Sequence, residues 1–157
     1  MSVRTGIGVD SHRFAPGRQL VLGGVEIPHE LGLAGHSDAD VLAHAIVDAL
    51  LGAAGMGDIG RLFPDTDPAF AGADSMGLLR DVVGRVRAAG WAVVHVDATV
   101  LMEHPRLAPH RAAIEAGLGA ALGGTVNVKA TTGERMGFVG RGEGVVALAV
   151  ATLAGAG

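Results

Sequence analysis

The end of the chain constrains the fold most: from residue 145 onward there is no charged side chain, and residues 142–154 are apolar almost throughout. Such a segment must be covered on several sides, yet it is too short to cross a bilayer, which takes about 20 residues. We read it as a last helix buried within the molecule. With 157 residues, the chain is expected to form a single compact domain over residues 1–157, burying about 70% of the surface of its unfolded form. In a unit of that size an all-apolar element is covered more easily when a sheet or helix layer meets another subunit, so homo-oligomerisation is expected. Hydrophobic residues make up 49% and aromatic ones 3%, with 26 glycines. The core is therefore Ala, Val and Leu packed closely around small residues.

The remaining segments alternate between strand and helix periods. Val3, Ile7 and Val9 lead into Asp10-Ser11-His12-Arg13-Phe14, a strand running out into a polar site, and alternation puts Asp10 and His12 on one face. Residues 20–27 read as a hairpin turning at Gly23-Gly24. Ser37 and Asp40 resemble a capping box, so a helix is expected from about Asp38 to the glycines at 52–57. On it Asp40, His44 and Asp48 form one stripe. A proline-bearing loop over 58–68 precedes a helix opened by Asp74-Ser75 and ended by Gly90. Residues 91–102 read as a β-branched strand, 109–122 as a helix and 125–130 as a strand. Interleaved strands and helices on one sheet define an α/β (α+β) class.

Charge and missing residues exclude several functions. Twelve Lys and Arg against 16 Asp and Glu give a net charge of −4, which argues against a nucleic-acid partner or a polybasic membrane anchor. With no cysteine, any metal must be held by His, Asp or Glu. The first residues lack the apolar run of a signal peptide, so a cytoplasmic protein with no membrane partner is expected.

Asp10, His12 and His44 supply a carboxylate and two imidazoles, the ligand set of an open zinc site. His36 competes as a ligand, and Asp48 is a candidate to orient His44. For each histidine alone, an ordinary half-buried role competes with this reading, as does pairing of Asp10 with Arg13. Asp38, Asp40, Asp48, Asp58, Asp65 and Asp67 crowd near His36 and His44, a density of carboxylates that a cation would relieve. Lys129-Ala130-Thr131-Thr132-Gly133-Glu134 puts hydroxyls, a glycine and a carboxylate after a strand, where phosphates and a divalent ion can be held. Arg141 is either a phosphate clamp or the ion-pair partner of Glu143.

Taken in order, Asp10-Ser11-His12-Arg13-Phe14, Gly35-His36-Ser37-Asp38-Ala39-Asp40-Val41 with His44 and Asp48-Ala49-Leu50-Leu51-Gly52, Gly57-Asp58-Ile59-Gly60 with Phe63-Pro64-Asp65-Thr66-Asp67, and Lys129-Ala130-Thr131-Thr132 with Gly140-Arg141-Gly142-Glu143-Gly144 resemble the 2-C-methyl-D-erythritol 2,4-cyclodiphosphate synthases of the non-mevalonate isoprenoid pathway. The resemblance runs from about residue 3 to 155. It implies a homotrimer of α/β subunits, each a mixed sheet with helices packed on one face, and active sites at the subunit junctions. It also implies the reaction, in which 4-diphosphocytidyl-2-C-methyl-D-erythritol 2-phosphate closes to the cyclic diphosphate and expels CMP.

Carried over by position, the resemblance assigns zinc, one ion per subunit, to Asp10, His12 and His44, and magnesium or manganese to Glu134 with substrate phosphates. His36 and Thr132 become the catalytic residues that align and stabilise the transition state. Ser37, Asp58, Gly60 and the loop of Phe63, Pro64, Asp65, Thr66 and Asp67 would meet the methylerythritol phosphate, and Asp10, His12, His36 and Ile59 are further substrate contacts. The stretch 102–108, with Met102, Arg106, Leu107 and Ala108, together with Thr131, Phe138 and Arg141, would meet the cytidine diphosphate, and Thr132, Gly133 and Glu134 are further substrate contacts. Arg106 stands where a lysine is common, and Gly133 where a third threonine is often found. Two other readings share these features, a zinc-dependent phosphohydrolase and an oligomeric module that binds cytidine nucleotide or isoprenoid in an axial cavity.

Overall fold

The computed structural model describes residues 1–64, 66–70, with Phe70 by its backbone alone, and 72–155. Its elements in chain order are β1 (Ser2–Ala15), β2 (Leu20–Leu22), β3 (Val25–Ile27), β4 (Gly32–Leu33), α1 (Val41–Ala54), α2 (Ile59–Leu62), α3 (Ser75–Ala88), β5 (Trp91–Leu101), α4 (Arg111–Leu122), β6 (Thr125–Thr131), α5 (Gly137–Gly140) and β7 (Gly144–Gly155). Five strands form one mixed sheet in the order β4-β1-β7-β5-β6, with β5 and β6 parallel and the other neighbours antiparallel. The hairpin of β2 and β3 stands apart.

The apolar tail, expected to be a helix, is the central strand β7, hydrogen-bonded to β1 on one side and β5 on the other. Val145, Ala147, Ala149, Ala151 and Leu153 are buried against the helices, whereas Val150, on the opposite face, is exposed. The residues between them, Val146, Leu148 and Val150, are apolar as well, so the period-2 signal disappears and the run reads like a buried helix.

Helices cover one face of the sheet, with α1 across β1 and β7, α3 beside α1, and α4 against β6. The approach of α1 is unusually close. A Cβ placed on Gly8 would lie 1.8 Å from the Ala45 carbonyl oxygen, and one on Gly6 would lie 2.2 Å from that of Ala49. The helix starts three residues later than expected, because Asp40 rather than Ser37 is its cap. The fully buried Asp40 carboxylate accepts from Ala43 N at 3.0 Å and from the hairpin amides of Gly23 and Gly24 at 2.9 and 2.8 Å. One side chain thus caps α1 and ties it to the β2–β3 turn, and burial pushes its carboxyl above the usual range.

Candidate metal centre and flanking clefts

Strand alternation points Asp10 and His12 to the helix-covered face, and α1 turns His44 toward them from its first turn. Asp10 Oδ2 lies 2.8 Å from His12 Nε2 and 3.2 Å from His44 Nδ1, and one ligand atom from each of the three residues falls within 4.8 Å of the others. The other ring nitrogens are engaged. His12 Nδ1 donates to the Ala34 carbonyl at 2.8 Å. His44 Nε2 faces Ser75 Oγ at 2.7 Å and Ser37 Oγ at 3.3 Å. In its neutral form, each ring can therefore turn a lone pair toward the space beside the Asp10 carboxylate.

Burial opposes the charge on Asp10, but the hydrogen bonds and charges of His12 and His44 outweigh it and hold its pKa at about 2. Burial also opposes a charge on His12; its hydrogen bond to Asp10 prevails and raises its pKa above the ordinary 6.5. A proton between them can be replaced by a cation.

The three residues line a cleft of about 340 Å³ together with His36, Ser37, Ile59, Gly60, Phe63, Pro64 and Leu78. His36 is exposed, its Nε2 3.5 Å from the Asp67 carbonyl, and it does not join the ligand group. Asp48 does not orient His44. It accepts from Ile59 N at 2.9 Å and so anchors the segment carrying Ile59 and Gly60. Asp58 caps α2 by accepting from Arg61 N at 2.9 Å, and Asp67 accepts from Ala69 N at 3.0 Å. Thr66 is exposed, and Asp65 lies outside the described residues.

A second cleft, of about 230 Å³, is lined by Met102, Glu103, Pro105, Arg106, Leu107, Ala108, Arg111, Ala130, Thr131 and Thr132. β1 and β5 are both antiparallel to β7, so this cleft opens at the same end of the sheet as the metal cleft. Two strand spacings, about 10 Å, separate β1 from β5. His36 and Thr132, the two candidate catalytic residues, therefore line different clefts of one chain. Glu103 braces the second cleft, accepting from Gly133 N at 2.8 Å and Arg135 N at 3.3 Å. That grip sits on a turn in which Glu134 and Arg135 both hold positive φ, 52° and 62°. Glu134 is exposed. Phe138 lines a third groove with Ser11, Arg13 and Glu143. Arg141 pairs with Glu143 at 2.7 Å, both side chains exposed. Sequence reasoning missed Leu78 and Arg111 as lining residues and Ser75 as the partner of His44, for which no local pattern gives a signal.

A carboxylate and two imidazoles converging at an open cleft on an α+β sheet are the ligand set of a metal-dependent enzyme. The chain belongs to the YgbB family, whose model matches residues 3–154. Among curated relatives, the 2-C-methyl-D-erythritol 2,4-cyclodiphosphate synthase of Azoarcus sp. is 58% identical, the match covering 96% of this chain and 95% of that one. The synthase of the same name from Ralstonia nicotianae is 62% identical over 95% of this chain and 90% of its own. A solved structure of a synthase of this name, in a CDP-bound form, superposes with a TM-score of 0.88 at 38% identity, covering 96% of this chain and 100% of that one.

Proposed function

We propose that the chain converts 4-diphosphocytidyl-2-C-methyl-D-erythritol 2-phosphate to 2-C-methyl-D-erythritol 2,4-cyclodiphosphate and CMP, as a cyclising phosphorus–oxygen lyase of non-mevalonate isoprenoid biosynthesis. The convergence of Asp10, His12 and His44 at the cleft carries this reading, in a chain whose relatives bear the name of that synthase.

The donor set fits zinc, one ion per chain. The spacings of 2.8 and 3.2 Å from Asp10 to the two imidazoles compare with about 3.3 Å between neighbouring ligands of tetrahedral zinc. When bound, zinc supplies a Lewis acid and a template for phosphate oxygens. Glu134 would hold magnesium or manganese jointly with substrate phosphates.

The substrate brings its own nucleophile, a phosphomonoester largely dianionic at neutral pH. Its oxygen bonds to the β-phosphorus, the bond from that phosphorus to the bridging oxygen breaks, and CMP departs with the electron pair. No strong base is needed; positioning and relief of charge repulsion dominate. His36, Ser37 and the Ile59–Pro64 stretch would seat the methylerythritol phosphate. Arg106 and the backbone of residues 102–108 would seat the nucleotide, with Thr131 and Thr132 beside the diphosphate.

His36 and Thr132 act together once two copies meet, so the reading includes a homotrimer with shared sites, supported by the exposed apolar face of the sheet. Cytoplasmic location belongs to the same proposal; among the described residues no helix is long and apolar enough to cross a membrane. The test is incubation of the protein with the cytidyl substrate, with and without chelator, followed by phosphorus NMR. Cyclic diphosphate with CMP, lost on chelation, is expected. CMP with an open phosphate would identify a phosphohydrolase instead, and no turnover would favour a binding module.

A further inference from the structure

We propose that Ser75 and Asp38 form a positioning relay that fixes the tautomer and ring orientation of His44, so that Nδ1 turns its lone pair toward the candidate metal position beside Asp10 and His12. The inference rests on reading those three residues as a metal site. It follows from counting protons. The Asp38 carboxylate accepts the Ser75 hydroxyl through Oδ1 and the Ser75 amide at 3.0 Å through Oδ2. A serine hydroxyl has one proton, and here it goes to Asp38. Toward His44, 2.7 Å away, Ser75 Oγ can then only accept. The N–H of a neutral His44 is thereby placed on Nε2, and its Nδ1 lone pair is left for a cation at the position beside Asp10 Oδ2, 3.2 Å away. The other tautomer would set two lone pairs against each other at Ser75 and aim an N–H at the metal position.

The surroundings make the relay rigid. Ser75 is fully buried at the first position of α3. The Asp38 amide donates to the Ala73 carbonyl at 3.2 Å, and Asp38 Oδ1 also accepts from Asp40 N at 3.2 Å. The loop before α1 and the start of α3 are thus locked together around the hydroxyl. Capping of α3 does not need Ser75, because Asp74 accepts from Met76 N at 3.2 Å. Metal-bound histidines are generally held through their second nitrogen by a carboxylate or carbonyl; here a hydroxyl stands between carboxylate and ring.

The test compares the unaltered protein, Ser75→Ala, Ser75→Thr and Asp38→Asn. Zn²⁺ affinity is read by competition with a chromophoric chelator, the Co²⁺-loaded forms by visible absorption, and folding by circular dichroism. Ser75→Ala should lower Zn²⁺ affinity about 10- to 100-fold and alter the Co²⁺ bands without loss of helix. Ser37 Oγ remains as a weaker partner at 3.3 Å, so binding is reduced rather than abolished. Asp38→Asn should act in the same direction, and Ser75→Thr, which keeps the hydroxyl, should restore both readouts. Unchanged affinity and spectrum in both Ser75→Ala and Asp38→Asn would overturn the relay alone. If the unaltered protein bound no Zn²⁺, the metal reading would fall and the relay with it.

Discussion

A neutral imidazole has one lone pair to give, and at both histidines of the candidate centre the structure decides where it points. His12 spends its Nδ1 proton on the Ala34 carbonyl, and His44 faces Ser75 through Nε2. His44 belongs to the candidate ligand group rather than to the apolar packing of α1, whose buried residues run from Val41 to Ala53 around it. His44→Ala should therefore lose turnover and lower zinc affinity by more than the roughly 100-fold that loss of an outer partner costs. Its circular dichroism should stay that of the unaltered protein; an unfolded variant, or one binding zinc normally, would contradict the assignment. The pH dependence follows from the same contacts. Without metal, the lowered Asp10 contributes stability that is present above its unfolded pKa and lost as pH falls toward about 2. The raised His12 contributes stability that is present below 6.5 and lost as pH rises through its folded value. Metal must displace the His12 proton, so zinc affinity should rise about tenfold per pH unit on the acid side of that value and level off above it. Chelator competition across neutral pH measures this, and a flat profile would refute it. Spacing along β1 made the pairing of Asp10 and His12 legible. The partner of His44 was not, because Ser75 lies 31 residues away; helical spacing singled out Asp48, which is occupied with Ile59.

At the scale of elements, the same substitution should have opposite signs at two glycines. Gly8→Ala drives a Cβ to 1.8 Å from the Ala45 carbonyl and 2.7 Å from Ala49 N, both backbone atoms of α1. Neither can swing aside, so the loss should reach the upper end of overpacking costs, about 3 kcal/mol. Gly84 lies inside α3, and a Cβ added there would meet nothing within 4 Å, so Gly84→Ala should gain about 0.5–1 kcal/mol from helix propensity. Urea denaturation of the two variants checks both; equal effects would mean that α1 does not rest on β1 as described. The helices α1, α3 and α4 and the strands β1, β5 and β6 were legible because each carries one buried face and a polar edge or cap. β7 was not, since its outward-facing residues, Val146, Leu148 and Val150, are as apolar as its buried ones and hide the alternation. The start of α1 was misplaced because the sequence offers both Ser37 and Asp40 as caps. The choice falls to Asp40 through the amides of Gly23 and Gly24, a contact between distant segments.

At the scale of the molecule, the sheet has one face under helices and one bare. Val3, Ile7, Val9 and Val150 are exposed, and the β1–β7 register sets Ile7 opposite Val150 and Val9 opposite Leu148. Contiguous apolar surface of this kind marks an interface. At its flank, Lys129 pairs with Asp97 at 2.7 Å and Asn127 donates to Asp97 at 3.1 Å, a polar border to the apolar centre. Val150→Asp puts a charge in the middle of that face without touching either cleft. The variant should sediment as a monomer, and its zinc affinity should be unchanged, since Asp10, His12 and His44 belong to one chain. Cyclisation should nevertheless fall to background, because His36 and Thr132 line clefts that lie apart within a chain and, in the proposed trimer, would be joined only between copies. A folded monomer with full turnover would place the whole reaction within one subunit, and an undiminished oligomer would move the interface to another surface.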